Sequence, residues 1–245
     1  MSRQQKRPYL SIIIPAHNEA RRLPLSLEQV FAFLGKQDFS SEVIVVENGS
    51  TDRTLEIAQE FRRTYPDLTV LQEDLPGKGR AIRRGVLEGS GEFRFIADVD
   101  FSMPVGEVLR FLPPACESDI VIASRESPGA VRYGEPAYRH ITGRVFNTLI
   151  RLLVLPGLQD TQCGFKCFRA AVAEDIFPLQ TLTGWSFDVE LLFIARQRGY
   201  SVREIGIPWY YNQESKVKVL RDSWIMFLDL LTIRRNARRG LYDRV

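Results

Sequence analysis

The sequence predicts an α/β fold: a mostly parallel, nucleotide-binding type of sheet flanked by helices, with amphipathic helices toward the C-terminus. Three observations predict it. Short apolar runs alternate with stretches of helical periodicity through the first half of the chain. Those runs are apolar almost throughout, as in strands buried on both faces. The sharpest polar clusters stand where the runs end, which is where such sheets bind ligands.

Residues 10–14 (LSIII) form a β-branched run stopped by Pro15, a buried strand. Leu23, Leu27, Val30, Phe31 and Leu34 then recur at helical spacing over residues 21–34. A second strand is EVIVV at 42–46, and Ser50, Thr51 and Asp52 offer N-cap chemistry for a helix reaching Thr64. Residues 68–72 are a third strand, 80–88 a helix after the Pro76-Gly77-Lys78-Gly79 loop, and 93–97 a fourth strand running into Asp98-Val99-Asp100. A helix over 107–116 and a fifth strand at 120–123 follow.

Beyond residue 125 the pattern changes. Residues 139–155 read as a helix with Val145, Phe146, Leu149, Leu152 and Leu153 on one face and Arg139, Arg144 and Arg151 among them. Residues 185–198 read as a helix and 200–208 as a strand. The last helix, 219–238, carries an apolar stripe of Trp224, Ile225, Phe227, Leu228 and Leu231. The domain reading is a flexible, basic N-terminus at 1–8, one body at 9–215, and a basic amphipathic helix at 216–245.

Composition narrows the classes. With 44% hydrophobic and 26% charged residues in 245, the chain can bury one sizeable core. Cys116, Cys163 and Cys167 lack a disulfide rhythm, which fits a reducing compartment, and no Cys or His pair completes a zinc set. No run of 18 apolar residues predicts a transmembrane helix, and the polar opening predicts no signal peptide. Residues 216–245 hold eight Lys/Arg against three acids, whereas the rest holds 25 against 27. That asymmetry fits an anionic surface; nucleic acid is not expected as a partner. There is neither a P-loop nor a G-x-G-x-x-G after the first strand.

Two carboxylates one residue apart, Asp98 and Asp100, repel unless a cation neutralises them. Oxygen ligands with positions left for phosphate describe a Mg²⁺ or Mn²⁺ site, able to stabilise a departing diphosphate. Glu19 and Asn48 lie just past strand ends, placed to bond a nucleoside, and the basic loop at 76–80 suits phosphate.

These residues together bring a family into view. SIIIPAHNE at 11–19, VVENGSTD at 45–52 and ADVD at 97–100 resemble the N-terminal signatures of glycosyltransferase family 2, which has the GT-A fold. DTQCGFK at 160–166 and WSFDVEL at 185–191 resemble its polyprenyl-phosphate branch, which includes the dolichyl-phosphate β-glucosyltransferases and mannose synthases. The likeness runs over about residues 9–235.

The resemblance implies a donor-binding set of Pro15, His17, Glu19, Val46, Glu47, Asn48, Lys78, Asp98, Val99, Asp100, Arg125 and Lys216. It implies a metal set of Asp98, Asp100 and Ser102, and a catalytic set of Asp100, Arg125, Arg139 and Asp188. Arg125 would meet the donor phosphate, Arg139 the acceptor phosphate, and Lys216 would close over the diphosphate. Asn48 departs from the family's usual Asp, which opens the choice of base.

Where relatives use a hydroxyl acceptor, a carboxylate near Asp188 acts as general base. A lipid phosphate is already anionic and calls for cations, which Arg125, Arg132, Arg139 and Lys166 supply. The expectation is therefore an inverting, metal-dependent transfer of a hexose, glucose from UDP-glucose, to a polyprenyl phosphate. The enzyme would work peripherally on the cytoplasmic membrane face. Two alternatives stand beside it: a soluble family 2 enzyme with a hydroxyl acceptor, and a nucleotide-sugar or anionic-lipid binding module without turnover.

Overall fold

The computed structural model describes residues 7–212 and 219–243. Its frame is laid down by β1 (Leu10–Ala16), α1 (Leu23–Leu34), β2 (Ser41–Asn48), α2 (Thr54–Thr64), β3 (Leu68–Glu73), α3 (Lys78–Glu88) and β4 (Phe93–Ile96). A 3-10 helix (Val105–Phe111) leads to β5 (Ile120–Ser124), β6 (Val131–Tyr133) and α4 (Ala137–Leu153). Then come β7 (Lys166–Arg169), α5 (Ala170–Ile176), α6 (Phe187–Gln197), β8 (Val202–Gly206), β9 (Pro208–Tyr210) and α7 (Val219–Arg238).

Seven strands make one sheet in the order β3-β2-β1-β4-β7-β5-β8. All neighbours are parallel except β7, which runs antiparallel between β4 and β5. β6 and β9 pair separately, in parallel. Because successive side chains of a strand point to opposite faces, one strand feeds two cores. Ile12 and Ile14 join Leu23, Leu27 and Val30 of α1 on one side. Ile13 joins Ile82 and Val86 of α3, with residues of α4, α5, α6 and α7, on the other. Each fully buried Leu or Ile of this kind contributes about 1.5–3 kcal/mol.

Several sequence expectations are corrected. The helix expected at 107–116 is the shorter 3-10 helix, because Pro113 and Pro114 have no N–H with which to continue it. The strand expected at 200–208 divides into β8 and β9, with Gly206 passing so near Pro128 that a side chain there would meet its carbonyl. The strand β7 and the helix α5 had no sequence forecast. Asp52 serves the start of α2 from outside it, its Oδ1 accepting the Thr54 N–H at 3.0 Å.

The apolar face expected on α4 is split by the structure. Phe146 is buried and Leu149 and Leu153 partly so, whereas Tyr138, Ile141, Val145 and Leu152 are exposed. In α7, Met226, Leu230 and Ile233 pack inward; of the forecast stripe, Trp224, Ile225, Leu228 and Leu231 face solvent and Phe227 is half-buried. Both helices are thus apolar on two sides. They run side by side in one direction: Phe146 and Met226 share a cavity wall, and Arg234 Nη1 donates to the Leu153 carbonyl at 2.7 Å further along. Among the described residues, no helix is long and apolar enough to cross a membrane.

Candidate active site

Parallel strands bring their carboxyl ends to one edge of the sheet, and a cavity of about 420 Å³ opens there. At one end it is lined by Pro15, Ala16, His17, Glu19 and Asn48, just past β1 and β2. Its middle holds Lys78, Asp98, Val99, Asp100, Ser102 and Arg125. The far end is formed by Arg139, Gly143, Phe146 and Asn147 of α4, Phe187 and Asp188 of α6, Trp209, Tyr211, and Met226 of α7.

The first end is preorganised by loop hydrogen bonds. His17 Nδ1 lies 2.7 Å from the Asn48 carbonyl oxygen, and Asn18, at φ 52°, accepts the Thr51 N–H on its side chain at 2.7 Å. Glu19 is buried and grips Arg22 with both oxygens at 2.6 Å, so it faces the cavity as half of an ion pair. Asn48 is 5% exposed and its Oδ1 has no hydrogen-bond partner among the described residues. A buried, unpaired acceptor on a cavity wall is a place for a ligand donor.

Two members of the implied donor set do not reach this cavity. Val46 points the other way and packs with Ile44 and Ala81, as strand alternation requires. Glu47 turns into its own loop, where Oε1 accepts the Ser50 N–H at 2.5 Å. Lys216 lies outside the described residues.

Asp98 and Asp100 stand in the loop after β4, not on the strand itself. Asp98 Oδ1 is 2.6 Å from Lys78 Nζ, both side chains being partly exposed. Burial pushes the Asp98 carboxyl up, but Lys78 beside it, together with Lys166 and Arg125, holds it below its ordinary range. Asp100 moves the opposite way: burial and then the charge of Asp98 raise it. Its Oδ1 accepts the Ser102 N–H at 3.1 Å, and the Ser102 hydroxyl also bonds that carboxyl.

Among the described residues no cluster of three or more His, Cys, Asp or Glu could hold a metal. The two carboxylates still fit one. They are hard oxygen donors whose mutual repulsion a cation would relieve, and Lys78 already supplies a single positive charge there.

Arg125 is held by Asp160, which is fully buried: Nε to Oδ2 at 2.7 Å and Nη2 to Oδ1 at 2.9 Å. The Arg125 guanidinium also sits 5.4 Å from the Trp209 ring. Arg132 is committed to Glu126 and Glu135, each at 2.5 Å. Arg139 differs. It stacks over Tyr211 at 5.3 Å, makes no ion pair among the described residues, and its buried Nε has no partner. Asp188 is paired with Lys166 at 3.1 Å. Burial raises its carboxyl even so, against the pull of Lys166 and Lys78.

Sequence reasoning passed over Asp160, Arg22, Trp209 and Tyr211. Asp160 opened one of the quoted motifs, and the Trp209-Tyr210-Tyr211 run marked an aromatic wall, but neither betrays its partner across the fold.

A model described as Glycosyl transferase family 2 matches residues 11–177. A dolichyl-phosphate beta-glucosyltransferase of Trichomonas vaginalis is 33% identical over 247 residues, spanning 96% of this chain and 73% of that protein. One of Saccharomyces cerevisiae is 32% identical over 256 residues, spanning 96% and 76%. One of Homo sapiens is 33% identical over 244 residues, spanning 92% and 74%.

Among solved structures, glucosyl-3-phosphoglycerate synthase from Mycobacterium tuberculosis, in complex with Mn²⁺, UDP and glucosyl-3-phosphoglycerate, superposes with a TM-score of 0.66 at 18% identity, covering 95% of this chain and 80% of that one. Mannosyl-3-phosphoglycerate synthase from Rubrobacter xylanophilus gives 0.68 at 17%, covering 97% and 77%. These likenesses establish the GT-A fold. The chain belongs to glycosyl transferase family 2, alongside the dolichyl-phosphate beta-glucosyltransferases it resembles in sequence.

Proposed function

We propose that this glycosyltransferase moves glucose from UDP-glucose to a polyprenyl phosphate of the dolichyl type, inverting the anomeric carbon, at the surface of a membrane. One observation carries the reading. A single cavity joins a carboxylate pair to Arg139, whose buried Nε has no partner among the described residues, and the helices that wall its far end carry outward apolar stripes.

The nucleoside would lie against Pro15, His17 and Asn48, whose unpaired Oδ1 awaits an N–H. Asp98 and Asp100 would hold Mg²⁺ or Mn²⁺, which when bound supplies charge stabilisation to the departing diphosphate. Arg125 is fixed by Asp160 and needs no reorganisation to face charge developing there. Arg139 would hold the acceptor phosphate for in-line attack, with Tyr211 beneath its guanidinium. Asp188, tied to Lys166, would orient that end of the site without removing a proton.

A second reading has its own support: the raised Asp188 carboxyl is the property of a general base for a hydroxyl acceptor. UDP release from UDP-glucose decides between them. Release should require a divalent ion and a polyprenyl phosphate in liposomes. Release with soluble alcohols and none with the lipid phosphate would transfer the case to the hydroxyl reading.

A further inference from the structure

Lys78 has the chemistry of a cation standing where another cation is wanted. Its Nζ lies 2.6 Å from Asp98 Oδ1, in the middle of the cavity. The other oxygen of Asp98, Oδ2, lies against Gly164 in the space a side chain there would need, 2.3 Å from where its Cβ would stand. Lys78 takes the oxygen that faces the cavity's middle, Oδ1.

The main chain that carries Lys78 is pinned. The Gly79 N–H donates to the Thr183 carbonyl at 2.9 Å, and a Cβ on Gly79 would meet Phe187 at 2.6 Å. Only the side chain of Lys78 is left to move. It has somewhere to go, for Nζ already sits 5.3 Å from the Trp185 ring, facing the space that Arg125 and Asp188 also line.

We propose that Lys78 is the resident counter-ion of Asp98, that the donor's diphosphate draws it away, and that the divalent cation binds the Asp98–Asp100 pair only once it has left. The proposal rests on the reading of that pair as the metal-holding carboxylates. With Lys78 in place the pair offers the incoming ion one net negative charge; without it, two. The same ammonium, moved onto the diphosphate, adds to nucleotide binding. Nucleotide and metal then bind with positive coupling, and coupling between two ligands is reciprocal.

The test measures binding in the absence of turnover. Mn²⁺ binding is followed by the electron paramagnetic resonance of the free ion, with and without UDP, for wild type, Lys78→Met and Lys78→Arg. UDP binding without metal is followed by calorimetry. Wild type should bind Mn²⁺ at least tenfold more tightly when UDP is present. Lys78→Met should bind Mn²⁺ alone at least tenfold more tightly than wild type and UDP alone more weakly. Lys78→Arg, which keeps the charge, should retain the weak binding of Mn²⁺ alone.

Wild-type-like affinity of Lys78→Met for Mn²⁺ alone, or for UDP alone, overturns the proposal, as does tight Mn²⁺ binding by Lys78→Arg. If wild type takes up Mn²⁺ with UDP and Lys78→Met shows no change, only the counter-ion role is lost. If wild type takes up no Mn²⁺ under either condition, the metal reading falls and this role with it.

Discussion

Arg125 and Asp160 are locked together by two parallel hydrogen bonds, and the Arg125 backbone N–H adds a third to the same carboxylate at 2.9 Å. Burial alone would raise the Asp160 carboxyl, but the guanidinium and these bonds depress it to about 2. The pair thereby fixes the loop after β5 and aims an arginine into the cavity.

Asp160→Asn should therefore damage stability and activity together. Removing one partner of a buried pair costs about 3–5 kcal/mol, and partial exposure of Arg125 favours the lower end. The pH sign is fixed by the depressed carboxyl. Its contribution, about 2 kcal/mol at 1.36 kcal/mol per pKa unit, is present above pH ~4 and is lost as pH falls from there toward 2. Urea unfolding of wild type and variant across that window should show the acid-dependent part vanish in Asp160→Asn. An equal acid sensitivity of the two proteins would rule out the pair as its source.

Asp100→Asn should separate function from stability. The raised Asp100 carboxyl means that its charge is unfavourable in the metal-free protein, first because it is buried and then because it stands beside Asp98. Neutralising it should leave the melting temperature unchanged or slightly higher in EDTA, while turnover falls at least 100-fold. A variant with near-normal turnover, or a wild type indifferent to EDTA, would remove the metal assignment.

Arg139→Ala should act on the acceptor side alone. Losing a charge-assisted hydrogen bond costs about 1.5–3 kcal/mol, which is roughly a 10- to 150-fold rise in the polyprenyl-phosphate KM at 1.4 kcal/mol per decade. UDP affinity by calorimetry should stay within about twofold, since Arg139 lies on α4 at the far end of the cavity. Equal loss in both measurements would move Arg139 to the donor.

Much of this architecture is legible in the sequence, and the illegible parts share a cause. β1, β2 and β4 announce themselves because their central residues are apolar and buried on both faces. β7 does not, for its first residue is Lys166, a buried charge readable only once Asp188 is seen opposite. The motif that named Val46 does not say which side of the strand its side chain faces, whereas alternation does. The Arg125–Asp160 clamp spans 35 positions and leaves no local periodicity. On α4 and α7, apolarity on two sides blurs the distinction between the face that packs and the face that does not.

That doubled apolarity supports the last prediction, which concerns membrane binding. Trp224, Leu228 and Leu231 recur at i, i+4 and i+7, opposite the inward Met226, Leu230 and Ile233. Tyr138, Ile141, Val145 and Leu152 do the same on α4, with Leu152 75% exposed. Two parallel helices with outward apolar faces, flanked by Arg235, Arg238 and Arg239 at the end of α7 and just beyond it, have the pattern of interfacial anchors. A basic residue near an anionic surface contributes about 1 kcal/mol.

Flotation with liposomes should show binding that needs anionic lipid and weakens as salt screens the arginines. Replacing Trp224, Leu228 and Leu231 with Ser should release the protein at all salt concentrations, because none of them supports the core. Replacing Arg235, Arg238 and Arg239 with Gln should weaken binding mainly at low salt and leave the remaining binding nearly insensitive to salt; Arg234 is spared because it bonds the Leu153 carbonyl. The competing arrangement, a second copy of the chain on the same face, predicts a dimer by sedimentation and no flotation even at low salt. That result would return the two stripes to a protein interface.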